Sequence, residues 1–173
     1  MLFILKNHKY CDNNTIITTT IESQESQLKL NYQIEGDISK YNFPQKTEQQ
    51  RANRLWLDTC FELFISNRDQ KEYWEINTSP STKWNSYHFT EYKENMKEST
   101  IFSTPKIITY STKSQYRLSF ETTMQKNILE KELEINICVI LLDRDGKRNF
   151  YSINRRDNTP DFHDRLKWSQ PIL

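Results

Sequence analysis

The sequence predicts an all-β protein, a two-sheet antiparallel β-sandwich folded as a single domain over residues 1–173. Three observations carry this. The apolar residues are only 35% of the chain and are rich in aromatic and β-branched types, which suit pleated, half-buried surfaces. Short runs with period-two alternation recur along the whole length, separated by turn-forming residues. A single stretch, Met124 to Glu132, has helical composition.

In chain order, Met1 to Leu5 is apolar and is followed at once by Lys6, too short for a signal-peptide core or a membrane span, and reads as an edge strand. Strands follow at Thr15 to Ile21 and Leu28 to Glu35, with a turn at Glu35-Gly36-Asp37. Residues Gln45 to Asn53 are polar and aperiodic, and predict a long surface loop or a single helical turn. Further strands are predicted at Leu55 to Ile65, Tyr73 to Thr78, Trp84 to Phe89, Lys106 to Tyr110, Tyr116 to Glu121, Leu133 to Leu142 and Asn149 to Ile153. Ser66 to Gln70 reads as a turn, and Asp143-Arg-Asp-Gly146 as a tight hairpin, since glycine accepts the positive φ such turns need.

The most informative segment is Arg54 to Ile65 with its sequel Tyr73 to Pro80. Successive strand side chains point to opposite faces. Leu55, Leu57, Thr59, Phe61, Leu63 and Ile65 therefore share one face, and Trp56, Asp58, Cys60, Glu62 and Phe64 the other. On the next strand Trp74, Ile76 and Thr78 oppose Tyr73, Glu75 and Asn77. One face reads as core; the other mixes aromatic rings with carboxylates, as a ligand-facing surface would.

Lys and Arg number 24 against 23 Asp and Glu, so the net charge of +1 offers no general field for nucleic acid or an anionic membrane. Cys11, Cys60 and Cys138 are widely spaced, which indicates neither a disulfide framework nor a cysteine zinc site, and reduced thiols in a cytoplasmic protein are expected. Gly36 and Gly146 are the only glycines, too few for a phosphate loop or a dinucleotide fingerprint.

The strings Leu55-Trp-Leu-Asp-Thr-Cys-Phe-Glu-Leu-Phe-Ile65, Tyr73-Trp-Glu-Ile-Asn-Thr-Ser-Pro80, Lys83-Trp-Asn-Ser-Tyr-His-Phe89 and Pro160-Asp-Phe-His163 resemble bacterial DOMON-like proteins related to family 9 carbohydrate-binding modules. The resemblance covers most of the chain. It implies a sandwich of the immunoglobulin-like or jelly-roll-like kind, sugar binding as in the carbohydrate modules, and haem binding as in some DOMON domains. The run Arg155 to His163 resembles the closing motif of that family.

Sugar recognition needs flat apolar faces beside hydroxyl partners. Trp56 and Tyr73 are the expected stacking residues, with Asp58, Glu62, Glu75, Asn77 and Arg155 as polar contacts. Tyr87 is expected on the same surface and Trp84 on the opposite one, while Asp161 and His163 form a polar rim or simply anchor the tail. The expected ligand is a small molecule, a carbohydrate or a cell-wall-related compound, bound without catalysis. The competing structural account has Trp56 packed under the Gln45 to Asn53 loop and Glu62 and Glu75 paired with basic residues. Three alternatives stay open: a glycoside-acting enzyme using Glu62 and Glu75 as paired carboxylates; haem ligation drawn from His8, His88, His163, Met96 and Met124; and a protein-interaction surface. No metal site is expected from three histidines without ligand spacing.

Overall fold

In the computed structural model, which describes residues 1–8, 14–125, 132–155 and 159–169, strands dominate and helix is confined to short 3-10 turns. The strands are β1 (Leu2–Ile4), β2 (Lys6–Asn7), β3 (Ile16–Gln24), β4 (Gln27–Glu35), β5 (Cys60–Asn67), β6 (Tyr73–Thr78), β7 (Trp84–Phe89), β8 (Lys97–Glu98), β9 (Lys106–Ser111), β10 (Gln115–Thr123), β11 (Leu133–Leu142) and β12 (Arg148–Ser152). They form two antiparallel sheets, one ordered β1-β3-β4-β10-β9 and the other β2-β12-β11-β5-β6-β7-β8. The predicted edge strand at the N-terminus is β1, at the border of the five-stranded sheet.

The sheets pack face to face over one apolar core. Phe61, Leu63 and Ile65 of β5, Trp74 and Ile76 of β6, and Trp84 of β7 meet Leu28, Leu30, Tyr32 and Ile34 of β4 and Leu118 and Phe120 of β10. Tyr32 reaches across the sandwich, where its hydroxyl donates to the Glu62 carbonyl at 3.1 Å. The alternation read from the sequence thus assigns the inner face correctly from residue 60 onward.

The two sheets differ in what covers their outer faces. In β4 the outward residues Lys29, Asn31 and Gln33 meet solvent, and burial alternates strictly. In β5 and β6 every residue is buried, because the outer face of the seven-stranded sheet is covered by residues 54–57 and 159–169. Cys60, Phe64, Tyr73, Tyr87, Phe89, Cys138 and Ile140 form a second apolar cluster there with Phe162 and Trp168.

Two expectations are corrected. The strand predicted from Leu55 begins at Cys60; Arg54 takes a left-handed conformation (φ 61°), and Leu55–Leu57 form a 3-10 turn that breaks the alternation. Leu57 is consequently exposed, and Leu55 packs on the outer cluster instead of the core. Thr59 then pins the strand entry, donating to the Asn42 carbonyl at 2.6 Å and accepting from the Leu142 amide at 3.1 Å. The two-residue strands β2 and β8 carry no legible alternation and were not predicted. The predicted helix from Met124 to Glu132 falls mostly outside the described residues, as does Cys11; Met124 itself is buried and bridges to Phe102.

The hairpin at Asp143 forms as expected, with Gly146 at φ +80° and the Asp143 carboxylate accepting from the amides of Asp145 and Lys147 at 3.1 and 2.8 Å. The Gln45 to Asn53 segment is a loop without helix, held to β7 by Trp84 N donating to the Gln50 carbonyl at 3.1 Å and Ala52 N donating to the Trp84 carbonyl at 2.9 Å. Arg51 lies over the Trp84 ring, 4.3 Å from its centroid.

Candidate functional site

A pocket of about 460 Å³ opens on the outer face of the seven-stranded sheet. Strand pairing builds its floor. Glu62 of β5 sits opposite Asn77 of β6, and Glu75 sits opposite Phe64 on one side and Tyr87 on the other, so the two glutamates take diagonal positions of adjacent strands on one face. Ile140 and Phe150, partners across β11 and β12, continue the floor.

The walls come from segments outside the sheet. The 3-10 turn carries Trp56 over one side, the residue 90–96 loop supplies Lys93 and Met96, and residues 160–163 bring Asp161, Phe162 and His163. The C-terminal strap is tied down by its own carbonyls and side chains. The Phe162 carbonyl accepts from Asn136 Nδ2 at 3.0 Å and from Trp168 Nε1 at 2.9 Å, and Ser169 and Ile135 exchange two backbone bonds of 2.8 Å. Asp161 forms an ion pair with Lys93 at 3.0 Å and accepts from the Tyr92 hydroxyl, joining the strap to the 90–96 loop.

The floor is polar but starved of donors. Glu62 and Glu75 are only 2% and 4% exposed. Asn77 Nδ2 donates to Glu75 Oε1 at 2.6 Å, and the Cys60 thiol donates to Glu62. Glu62 Oε1, Asn77 Oδ1 and Asn136 Oδ1 have no hydrogen-bond partner among the described residues. Among the described residues neither glutamate is paired with a basic residue, so that part of the competing structural account does not describe this face. Burial raises both carboxyls, Glu75 to about 7 and Glu62 well above the usual range, the latter also through the charge of Glu75. His163 is lowered to about 4 by burial and then by the Lys93 charge, against the opposing pull of Asp161, and is a neutral imidazole at neutral pH.

The expected site residues separate into four places. Trp56, Glu62, Glu75 and His163 line the pocket together with Asp161. Tyr87 lines a smaller adjoining depression of about 290 Å³ that shares Trp56 and Met96 with the main pocket; its ring meets Trp56 edge-on at 5.7 Å. Tyr73 and Asn77 lie beneath the surface. Tyr73 is stacked on Phe89 at 4.7 Å and bonded to His163, and Asn77 orients Glu75. Asp58 and Arg155 lie outside the lining of both depressions: Asp58 accepts from the Thr59 amide at 2.7 Å, and Arg155 donates to the Asn7 carbonyl at 3.0 Å. Residues the sequence reading missed are Phe89, Lys93, Met96, Ile140, Arg148 and Phe150. Phe89, Ile140 and Phe150 carried a signal, each lying in a predicted strand, with Phe89 sharing the parity of Tyr87, and Met96 entered only as a haem-ligand candidate; Lys93 and Arg148 carried none.

Of the haem-ligand candidates, His163 and Met96 line the pocket, His8 meets Ser152 Oγ at 2.5 Å, His88 bonds Glu72 on the strand's other face, and Met124 lies in the core. A floor of buried carboxyls does not fit the apolar face of a haem. Among the described residues no group of three or more His, Cys, Asp or Glu could hold a metal ion, and no helix is long and apolar enough to cross a membrane. A wider depression of about 1170 Å³ lies between residues 37–43, 112–113 and 142–146, but it is lined mostly by exposed turn residues and has no buried unpaired polar group.

No protein-family model matches the sequence, and no curated protein is similar to it in sequence. Solved structures are similar in fold. A candidate carbohydrate-binding protein from Bacteroides uniformis ATCC 8492 superposes over 98% of this chain and 84% of its own, with a TM-score of 0.67 and 11% identity. A family 9 carbohydrate-binding module from Caldicellulosiruptor kristjanssonii in complex with cellotriose covers 92% of this chain and 74% of its own, with a TM-score of 0.58 and 13% identity. One from the same organism in complex with glucose covers 96% and 82%, with a TM-score of 0.57 and 12% identity. The chain has the two-sheet antiparallel β-sandwich fold of family 9 carbohydrate-binding modules.

Proposed function

We propose that the chain binds a carbohydrate, without catalysis, in the pocket floored by Glu62 and Glu75. The observation that carries this reading is a buried carboxyl oxygen, Glu62 Oε1, left without a partner at the base of an aromatic-walled cavity. An unsatisfied buried acceptor costs about 1–3 kcal/mol, and a ligand hydroxyl would supply the missing donor. Trp56, Phe150 and Phe162 offer apolar faces to a sugar ring, and the adjoining depression at Tyr87 gives room for a second unit. The fold shared with modules solved in complex with cellotriose and glucose supports the same class of ligand.

Glycoside hydrolysis needs two carboxyls facing each other across the scissile bond. Glu62 and Glu75 instead project side by side from one sheet face, an arrangement that suits reception of hydroxyls. A protein-docking role would leave the aromatic face bare, whereas here the chain's own residues 159–169 cover it.

A thermal-shift titration with glucose, cellotriose and a panel of other mono- and oligosaccharides tests the reading. Ligand at about 100 times its dissociation constant adds roughly 2.7 kcal/mol. That corresponds to a rise of about 5–10 °C for a domain of this size. The expected result is a rise with at least one saccharide that disappears in Trp56→Ala; no rise with any saccharide, or an unchanged rise in the variant, would overturn it.

A further inference from the structure

The unpaired polar atoms at the pocket floor are all acceptors. Glu62 lines the pocket with its Oε1 buried and unpaired among the described residues, and Asn77, the cross-strand partner of Glu62, keeps its own Oδ1 unpaired. The Asn77 orientation is fixed, because its amide nitrogen is already given to Glu75. Among the described residues neither Glu62 nor Glu75 has an ion-pair partner: of the two cations in the lining, Lys93 is paired with Asp161, and Arg148 is exposed at the mouth, where it donates to the Trp56 carbonyl and lies over Phe150. The walls are the π-faces and edges of Trp56, Phe64, Phe89, Phe150 and Phe162. Acceptors without donors, two acids without a counter-charge and a ring of aromatic side chains are the complement of a cation that carries several N–H donors.

Resting on the carbohydrate reading above, we infer that the ligand is an amino sugar whose free ammonium group sits against Glu62 and Glu75. A neutral hydroxyl could satisfy Glu62 Oε1, but it would leave both carboxyls in the protonated form that burial favours, whereas a cation draws them into the ionised form and into charge-assisted bonds. An ammonium supplies three donors and the opposite charge at once, and charge-assisted hydrogen bonds are roughly twice as strong as neutral ones. An anionic sugar is disfavoured because, of the two cationic side chains lining the pocket among the described residues, Lys93 is paired with Asp161 and Arg148 is at the solvent-exposed rim.

The test is calorimetric titration of the whole chain with glucosamine, glucose, N-acetylglucosamine and cyclohexylamine at about pH 6, below the ordinary amine range. Glucosamine is expected to bind at least about tenfold tighter than glucose or N-acetylglucosamine, the size of one charge-assisted bond. The ratio of glucosamine to glucose affinity should collapse in Glu62→Gln and Glu75→Gln, which keep side-chain shape and are checked for folding by thermal melts. Glucose binding equal to or tighter than glucosamine would overturn the amino-sugar assignment and leave the carbohydrate reading standing. Cyclohexylamine binding as tightly as glucosamine, or no binding by any sugar, would overturn the carbohydrate reading and the assignment with it.

Discussion

The Tyr73 hydroxyl meets His163 Nδ1 at 2.8 Å, joining a strand of the sandwich to the strap that forms one wall of the pocket. The same oxygen accepts the Lys93 amide at 3.1 Å, so three chain segments converge on one buried phenol. A neutral His163 accepts the phenolic proton at Nδ1, and burial, which pushes Tyr73 upward, keeps that proton in place. Phe64 and Phe89 meet the imidazole edge-on at 5.0 and 5.2 Å.

Removing the hydroxyl alone should loosen this wall. Tyr73→Phe is expected to cost about 1–3 kcal/mol, because both the His163 nitrogen and the Lys93 amide lose a partner in a largely buried place. Urea unfolding of the variant measures the loss, and an unchanged midpoint would show that the junction contributes nothing to the fold.

His163 makes stability depend on acid. Its folded pKa of about 4 lies below the ordinary value of 6.5, so the unfolded chain binds the proton more readily. The contribution is fully present above about pH 6.5 and is lost as pH falls through about 4, at up to about 1.4 kcal/mol per pH unit. Relative to His163→Phe, the wild type should lose on the order of 3 kcal/mol across that window, less any screening at its partly exposed edge. Denaturant midpoints at several pH values check the slope.

Glu75 acts in the opposite direction. Its carboxyl is raised to about 7 by burial, so the folded state holds a proton the unfolded chain has released. Stability is full below the ordinary carboxyl range and declines as pH rises through about 7. Glu75→Gln keeps the Asn77 bond and cannot ionise; its melting temperature relative to wild type should therefore climb by several degrees between about pH 5 and about pH 8. A difference that stays constant with pH would contradict the assignment.

Arg165 fastens the strap at its other end. It contacts Glu134 at 2.6 Å and donates to the carbonyls of Asn67, Arg68 and Gln70, with its guanidinium 5.5 Å from the Trp168 centroid. Lysine cannot reproduce this planar fork. Arg165→Lys is expected to destabilise by about 1–3 kcal/mol and to raise proteolytic cleavage near residues 159–169.

The sandwich was legible because period-two alternation is a local property. Phe61, Leu63 and Ile65 could be separated from Glu62 and Phe64 by counting, and Tyr87 from Trp84 likewise. The start of β5 was not legible, since Leu-Trp-Leu-Asp continues the alternation while the left-handed Arg54 ends it in space. Nor could counting show that residues 159–169 fold over the outer face, or that Lys93, Arg148 and Phe150 join Glu62; those juxtapositions rest on pairing between segments far apart in sequence. Tyr73 shows the limit of parity: it shares the face of Glu75 but is buried under the strap and lines neither the pocket nor the adjoining depression.

The central claim is that ligand enters the pocket over Glu62 and Glu75. Amide chemical-shift mapping during titration with the saccharide that gives the largest thermal shift tests it most directly. The account predicts perturbations concentrated at Trp56, Glu62, Glu75, Phe150 and His163, and absent from residues 37–43 and from the outer face of the five-stranded sheet. Shifts centred on that sheet, or on the depression beside the Asp143 hairpin, would contradict it.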